Sequence, residues 1–342
     1  MNGKIRAIIF ALLAAVFYAV TVPASKLLLN EVSPTMMAAL LYLGAGAGIG
    51  IMRLAHVGRD ERPERFTGQD LPYVAGMIVL DIAAPIFLML GIRLGTSSNA
   101  SLLGNFEIVA TTLIALALFK EPVSPRLWAA VGLIALSSAL LSFEGAESLR
   151  FSKGSLFVLL ATLCWGLENN CTRALSSRSA YDIVLLKGIF SGAGSLLIAL
   201  TRGEAFPDAA HIGLTLLLGF VAYGLSIFLY VRAQYTLGAA RTSAYYAVAP
   251  FVGAALSFLL LREALSRTYL AALLVMAAGS TLVVMDTLIK SHAHVHSHTY
   301  THTHDGTTHT HTVSHVHAHN HYLTLNSHGH HHSRQELEAD HT

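Results

Sequence analysis

Residues 99–125 read NASLLGNFEIVATTLIALALFKEPVSP, and residues 242–266 read TSAYYAVAPFVGAALSFLLLREALS. Each is a long apolar run that closes on a basic–acidic pair, Lys120-Glu121 in the first and Arg262-Glu263 in the second. A helix rises about 1.5 Å per residue, so about 20 mostly apolar residues cross the roughly 30 Å of hydrocarbon in a bilayer. Both runs therefore read as membrane-spanning helices. Their approaches match as well. RLGTSSNASLL, from Arg93, leads into the first, and TLGAARTSAYY, from Thr236, leads into the second. Further upstream, Phe17-Tyr18-Ala19 with Ser25-Lys26 corresponds to Cys164-Trp165-Gly166 with Thr172-Arg173.

Working outward, the same length rule gives about ten spans: Ile5–Leu28, Thr35–Leu54, Leu71–Ile92, Asn99–Phe119, Leu127–Phe143, Leu156–Leu175, Ile183–Leu200, Ile212–Tyr235, Ser243–Leu261 and Tyr269–Leu288. The matching motifs occur in the same order in each half, so the expected organisation is a duplication. Residues 1–145 and 146–290 form two five-helix repeats, and residues 291–342 form a tail. Five is odd, so the second repeat enters the membrane from the opposite side. Inverted repeats are a feature of secondary carriers, whose sites lie near the midplane between the halves. The expected fold class is an all-α integral membrane protein.

Composition agrees. Of 342 residues, 54% are hydrophobic and only 12% charged, about half the charge of a soluble domain. A net charge of +2 gives no reason to expect nucleic acid as a partner. The two cysteines, Cys164 and Cys171, share one apolar run and imply no disulfide framework. The run behind Met1–Arg6 has spanning length and is read as the first helix rather than a cleaved signal. Lys and Arg favour the side of the N-terminus, which places both termini in the cytoplasm of a multi-pass inner-membrane protein.

The runs from Asn99 and Thr242, each ending in a helix-closing glutamate, resemble the EamA-type repeats of the drug/metabolite transporter superfamily. The resemblance covers about residues 5–288. It implies ten helices in two inverted repeats and transport of small metabolites or drugs, often as export. It departs at Ile108, where the family often has a proline that the second copy keeps as Pro250, and it leaves the tail uncovered.

An acid at the bilayer centre costs about 2.5–3.5 kcal/mol on insertion scales. Asp81, Glu107 and Glu168 fall near helix midpoints and are candidates for a solute or coupling-ion site. Trp165, Glu168, Asn169 and Thr172 stand at i, i+3, i+4 and i+7, one stripe of a helix mixing an aromatic with polar groups. Tyr18, Asn105 and Tyr245 are weaker candidates. Cys164, Glu168 and Cys171 also align and read as a minor metal option. Pro23, Pro85 and Pro250 are expected to kink their helices. Glu121 and Glu263 read as interfacial partners of Lys120 and Arg262.

From Ser291 the character changes. Of 19 histidines only His56 and His211 come earlier. The candidate ligands are His292, His294, His296, His298, His302, His304, His309, His311, His315, His317, His319, His321, His328, His330, His331 and His332. Neutral imidazole is a ligand for zinc, nickel, cobalt and copper. The low-complexity composition reads as a disordered cytoplasmic segment that binds such ions.

No glycine-rich phosphate loop followed by Lys-Ser or Lys-Thr occurs, and no catalytic serine or zinc-protease motif, so neither an ATP-driven pump nor an enzyme is expected. No resident cofactor is required. The leading expectation is a gradient-driven carrier, working as an exporter of a small organic solute, with a metal-binding tail. The alternatives are a carrier of nickel, cobalt or zinc, and a non-transporting metal sensor or scaffold. The partners are the lipid bilayer, the solute and transition-metal ions, and the protein is a monomer or homodimer.

Overall fold

A computed structural model describes residues 3–55, 66–119, 123–143, 152–175, 178–237, 242, 245–304 and 307–322. It divides into two units, 1–284 and 285–342.

The first unit is helical. The first run is α1 (Gly3–Ala19) continued by α2 (Thr21–Leu28), with the break four to three residues before Pro23. That is where a proline ring meets the preceding carbonyl and removes a helical bond. Next come α3 (Pro34–Leu54) and α4 (Leu71–Leu94), the latter running through Pro85 without a break. The fourth run is split at Gly104-Asn105 into α5 (Ser97–Leu103) and α6 (Phe106–Phe119), and α7 (Pro125–Ser142) follows. The second half begins with α8 (Lys153–Ala174). The seventh run is α9 (Ala180–Leu186), a π-helical turn at Lys187–Ser191 and α10 (Gly192–Thr201). The eighth is α11 (Ala209–Gly219), a second π-helical turn at Phe220–Leu225 and α12 (Ser226–Leu237). Then come α13 (Ala249–Leu261), with Pro250 in its first turn, and α14 (Arg267–Leu288).

Among the described residues, 7 helices are long and apolar enough to span a bilayer: Ile5–Leu28, Pro34–Leu54, Gly68–Leu94, Pro125–Ser142, Ala180–Thr201, Ala209–Tyr230 and Arg267–Asp286. The other expected spans have local reasons to miss that test. One is broken at Gly104-Asn105, α8 carries Glu168-Asn169-Asn170, and α13 is a short apolar helix. Many apolar side chains point outward, including Ile51, Val79, Leu259 and Leu274, each at least 62% exposed. Such a surface suits lipid.

The helix contacts are paired. The first run packs on the eighth (α1 on α12) and the sixth on the third (α8 on α4). The second packs on the seventh (α3 on α10), and the fourth on the ninth (α5 on α13). Exchanging the halves maps this set onto itself, the arrangement expected of a duplicated fold.

Helix α3 is the most buried of the long spans, and glycines allow its close neighbours. A Cβ at Gly44 would collide with the Leu216 carbonyl, and one at Gly219 with the Leu41 carbonyl. Small residues let membrane helix backbones approach in this way. Gly219→Ala is expected to lower stability by about 1–3 kcal/mol, as overpacking does. A lower unfolding midpoint of the purified protein would register it. Gly213→Ala, where an added methyl meets nothing within 4 Å, serves as the neutral control.

The second unit holds two antiparallel strands, β1 (Ile289–His304) and β2 (Thr307–Tyr322), with Ile289 opposite Tyr322 and His304 opposite Thr307. The sequence reading expected a segment without regular structure here. The backbone instead pairs as two antiparallel strands over 289–304 and 307–322, and His328, His330, His331 and His332 lie outside the described residues.

Candidate functional site

A buried polar cluster among the described residues of the membrane unit is built around a lysine. Lys187 opens the π-helical turn of the seventh run. Its Nζ donates to Glu168 Oε1 at 2.6 Å and stands 3.4 Å from Asp81 Oδ2. The Thr172 hydroxyl, one turn along α8, donates to the same Glu168 oxygen. The Tyr42 hydroxyl, from α3, donates to Asp81 Oδ1 at 2.8 Å. Asp81 is 1% exposed and Glu168 3%. Buried charges persist where they are paired and hydrogen-bonded, and here one ammonium serves two carboxylates. A π-turn in an α-helix often marks a functional position, and this one sets Lys187 between α4 and α8.

Asn169 follows Glu168 on α8 and faces the fourth run. Its Nδ2 donates to Glu107 Oε1 at 2.6 Å and lies 3.4 Å from Thr111 Oγ1. The stripe read from the sequence thus divides. Glu168 and Thr172 engage Lys187, Asn169 engages Glu107, and Trp165, 8% exposed, packs into the main apolar core.

From Tyr42 a chain of aromatic rings crosses between the halves. Tyr42 and Tyr223 centroids are 5.2 Å apart, Tyr223 and Tyr18 6.1 Å, Tyr18 and Tyr246 5.9 Å, and Tyr246 and Tyr230 5.1 Å. Tyr223 lies on the second π-helical turn. Tyr42 links the rings to the charged groups, since its hydroxyl donates to Asp81 and its ring meets Tyr223. The Tyr223 hydroxyl is buried and has no hydrogen-bond partner among the described residues. Glu107, Asn169, Lys187, Tyr18 and Tyr246 are half-buried rather than sealed. The first half contributes Tyr18, Tyr42, Asp81 and Glu107, and the second Glu168, Asn169, Lys187, Tyr223 and Tyr246.

Two sequence candidates fall outside this network. Asn105 is buried at the α5–α6 break, its Nδ2 without a hydrogen-bond partner among the described residues. Tyr245 is half-buried, and the ring contacts run through its neighbour Tyr246. The metal option on α8 is corrected. Among the described residues no three His, Cys, Asp or Glu side chains converge to hold an ion. Cys164 packs beside the main core and Cys171 beside Met77, Leu175 and Ile183, while Glu168 is already bound to Lys187.

The sequence reading missed Lys187, Tyr42 and Tyr223. Lys187 carried a usable signal: it is a cation inside the apolar run from Ile183 to Leu200, subject to the same cost that marked the acids. The tyrosines had none, since a tyrosine in an apolar helix is ordinary.

At the end of the bundle where the odd-numbered runs finish, the halves are tied together. Glu263, just past α13, accepts from the backbone N–H of Ser97 at 2.7 Å and of Ser98 at 2.9 Å, at the start of α5. The Ser97 and Ser257 hydroxyls are 2.8 Å apart. Glu204 Oε2 accepts from Ser33 Oγ at 2.6 Å and from the Met36 N–H at 2.9 Å, at the start of α3. Lys26 Nζ donates to the Ile92 and Gly95 carbonyls, both at 2.6 Å. Glu263 is therefore an interhelical cap rather than a partner of Arg262. Arg262 itself takes the left-handed conformation that ends α13, at φ 52°. Glu121 lies outside the described residues. At the opposite end, Arg53 pairs with Asp182, and Arg178 Nη2 lies 3.0 Å from Asp70 Oδ2.

The model of the EamA-like transporter family matches residues 5–143 and again 152–285, two copies that together cover most of the chain. The chain belongs to the EamA-like transporter family. The two matched segments coincide with the two sets of five runs. A protein of Methanothermobacter thermautotrophicus described as an uncharacterized transporter is 25% identical over 277 residues, 74% of this chain and 78% of that protein. A crystal structure of another protein shares the fold with a TM-score of 0.58 at 17% identity, over 82% of this chain and 96% of that one. This EamA-like transporter is thus a multi-pass membrane transporter with a buried polar cluster drawn from both of its repeats.

Proposed function

We propose that this EamA-like transporter is a gradient-driven carrier that exports a small organic solute, a metabolite, amino acid or drug-like molecule, by alternating access across the cytoplasmic membrane, with both termini in the cytoplasm. The observation that carries the reading is Lys187 held between Asp81 and Glu168, continuous with a chain of tyrosines drawn from both halves. The repeats enter the membrane from opposite sides, and their rocking exposes the shared site to each side in turn.

The site holds three carboxylates, Asp81, Glu107 and Glu168, and one ammonium, Lys187. Acid exceeds base, so a coupling cation, protons or a cationic group on the solute balances it. Tyrosine rings offer apolar faces with polar tips, which suits an organic molecule. A divalent transition metal asks for three or four converging donors. The described residues bring no three such donors together, so the organic solute is favoured.

Proteoliposomes with an imposed proton or sodium gradient, tested against amino acids and organic amines, decide the matter. Gradient-dependent flux is expected, and Glu107→Gln and Glu168→Gln are each expected to reduce it at least about tenfold, a loss of roughly 1.4 kcal/mol. Absence of any gradient-dependent flux would sink the reading, as would flux unchanged in both variants.

A further inference from the structure

The cluster around Lys187 joins two acids to one base, and the base is not shared evenly. Lys187 Nζ donates to Glu168 Oε1 at 2.6 Å but stands 3.4 Å from Asp81 Oδ2. The same Glu168 oxygen accepts from the Thr172 hydroxyl. Asp81 accepts on Oδ1 from one neutral donor, the Tyr42 hydroxyl, and its buried Oδ2 has no hydrogen bond among the described residues.

One ammonium balances one carboxylate. With both acids ionised the cluster would carry a net negative charge, and a buried group that cannot be balanced takes up a proton instead. Where two carboxylates share a site, one of them holds that proton. Glu168 already has the ammonium and a hydroxyl, so Asp81 is the acid left to take it, on the oxygen that no donor occupies. The groups facing it from the helices packed on α4 are few. They are Glu168 and the Cys171 thiol on α8, the latter beside Gly76, with Tyr42 on α3 and Lys187 on the π-helical turn. Helices α5 and α10 carry no ionisable residue. Lys26 of α2 is bound to carbonyls at the end of α4, and Asp70, just before α4, is paired with Arg178.

The three groups also come from different repeats. Asp81 lies in the first matched segment, Glu168 and Lys187 in the second. In a rigid-body rocking of the repeats the Lys187–Glu168 pair travels as a unit, and the distance from Lys187 to Asp81 changes. We propose that Asp81 is the proton-carrying residue of this transporter, holding a proton in this conformer and releasing it when the repeats bring Lys187 into a hydrogen bond with it. The Oδ2–H bond breaks, its electron pair stays on Asp81, and the proton passes to water. An opposite charge at closer range favours the ionised acid, so proton binding and conformation are linked. This role rests on the carrier reading above, and within it the proton is the coupling ion.

Infrared spectra of the purified full-length protein in detergent at neutral pH test the protonation without any solute. A protonated carboxylic acid has a carbonyl stretch that a carboxylate lacks, and the band shifts in heavy water. The wild type is expected to show such a band, and Asp81→Asn, an isosteric change that keeps the acceptor for Tyr42, is expected to lose it. Glu168→Gln should lose the same band, because Lys187 then has Asp81 as its one carboxylate and holds it ionised. A wild-type spectrum without a band that Asp81→Asn removes would overturn the proposal, and so would full retention of the band in Glu168→Gln. In proteoliposomes given amino acids and organic amines, a proton gradient rather than a sodium gradient is expected to drive the flux. A pH difference of one unit should give about tenfold accumulation for each proton exchanged. Flux that follows sodium and ignores protons would overturn the coupling role. Absence of flux under either gradient would instead sink the carrier reading, and the infrared band would still decide the state of Asp81.

Discussion

Lys187→Met is expected to abolish transport and to destabilise the protein, and the two effects should be separable. Removing the ammonium leaves Asp81 and Glu168, both nearly inaccessible, facing each other without a counter-charge. Breaking a buried ion pair by deleting one partner costs about 3–5 kcal/mol, chiefly the penalty of the charge left behind. The hydrogen bonds from Tyr42 and Thr172 remain but supply no charge. A triple variant, Lys187→Met with Asp81→Asn and Glu168→Gln, removes all three charges at once. Neutral replacement of a buried network is often close to isoenergetic, so the unfolding midpoint should return near the wild-type value. Transport should not return. A loss of about 100-fold in flux, roughly 2.7 kcal/mol, is expected in both variants. Thermal unfolding in detergent and solute counterflow in proteoliposomes measure the two quantities. If the triple variant regained both stability and flux, the triad would be structural, and the solute site would have to rest on Glu107 and the tyrosines.

That prediction depends on a residue the sequence reading passed over. Length and hydropathy made the spans legible, because an apolar run has few alternatives to a membrane, and the repeated motifs made the duplication legible. Asp81, Glu107 and Glu168 stood out for the cost of acids in hydrocarbon. Which of them meet was not legible, since Asp81 and Glu168 lie on the third and sixth runs and are joined through Lys187 on the seventh. The π-helical turns that place Lys187 and Tyr223 are departures from the 3.6-residue period and leave no mark in composition. The residues from Trp165 to Thr172 lie on the one helix α8, but they face three different neighbours. In the tail the opposite happened. Asp305-Gly306 between alternating segments is a hairpin signal, yet low complexity outweighed it and disorder was expected.

Glu263→Ala is expected to shift the balance between the carrier's conformations more than its folding stability. In this conformer the Glu263 carboxylate, from the second half, accepts two backbone N–H groups at the start of α5, in the first half. Unsatisfied N–H groups and the helix dipole make that position favourable for an anion. Hydrogen bonds to a charged group contribute about 1.5–3 kcal/mol each. In the proposed alternating-access cycle this end of the bundle parts in the other conformer, so the contact favours one state only. Its loss should change the ratio of the two by about 10- to 100-fold. Spin labels at Arg93 and Arg267, both exposed beside the contact, report the separation in a Cys164→Ser, Cys171→Ser background. A longer distance should gain population in Glu263→Ala. The gain should be smaller in Glu263→Gln, which keeps one acceptor oxygen without the charge. If the carboxylate only caps a helix, the unfolding midpoint would fall while the distance distribution stayed as in the wild type. The balance would then rest with Glu204, which holds the Ser33 hydroxyl and the Met36 N–H across the same pair of halves.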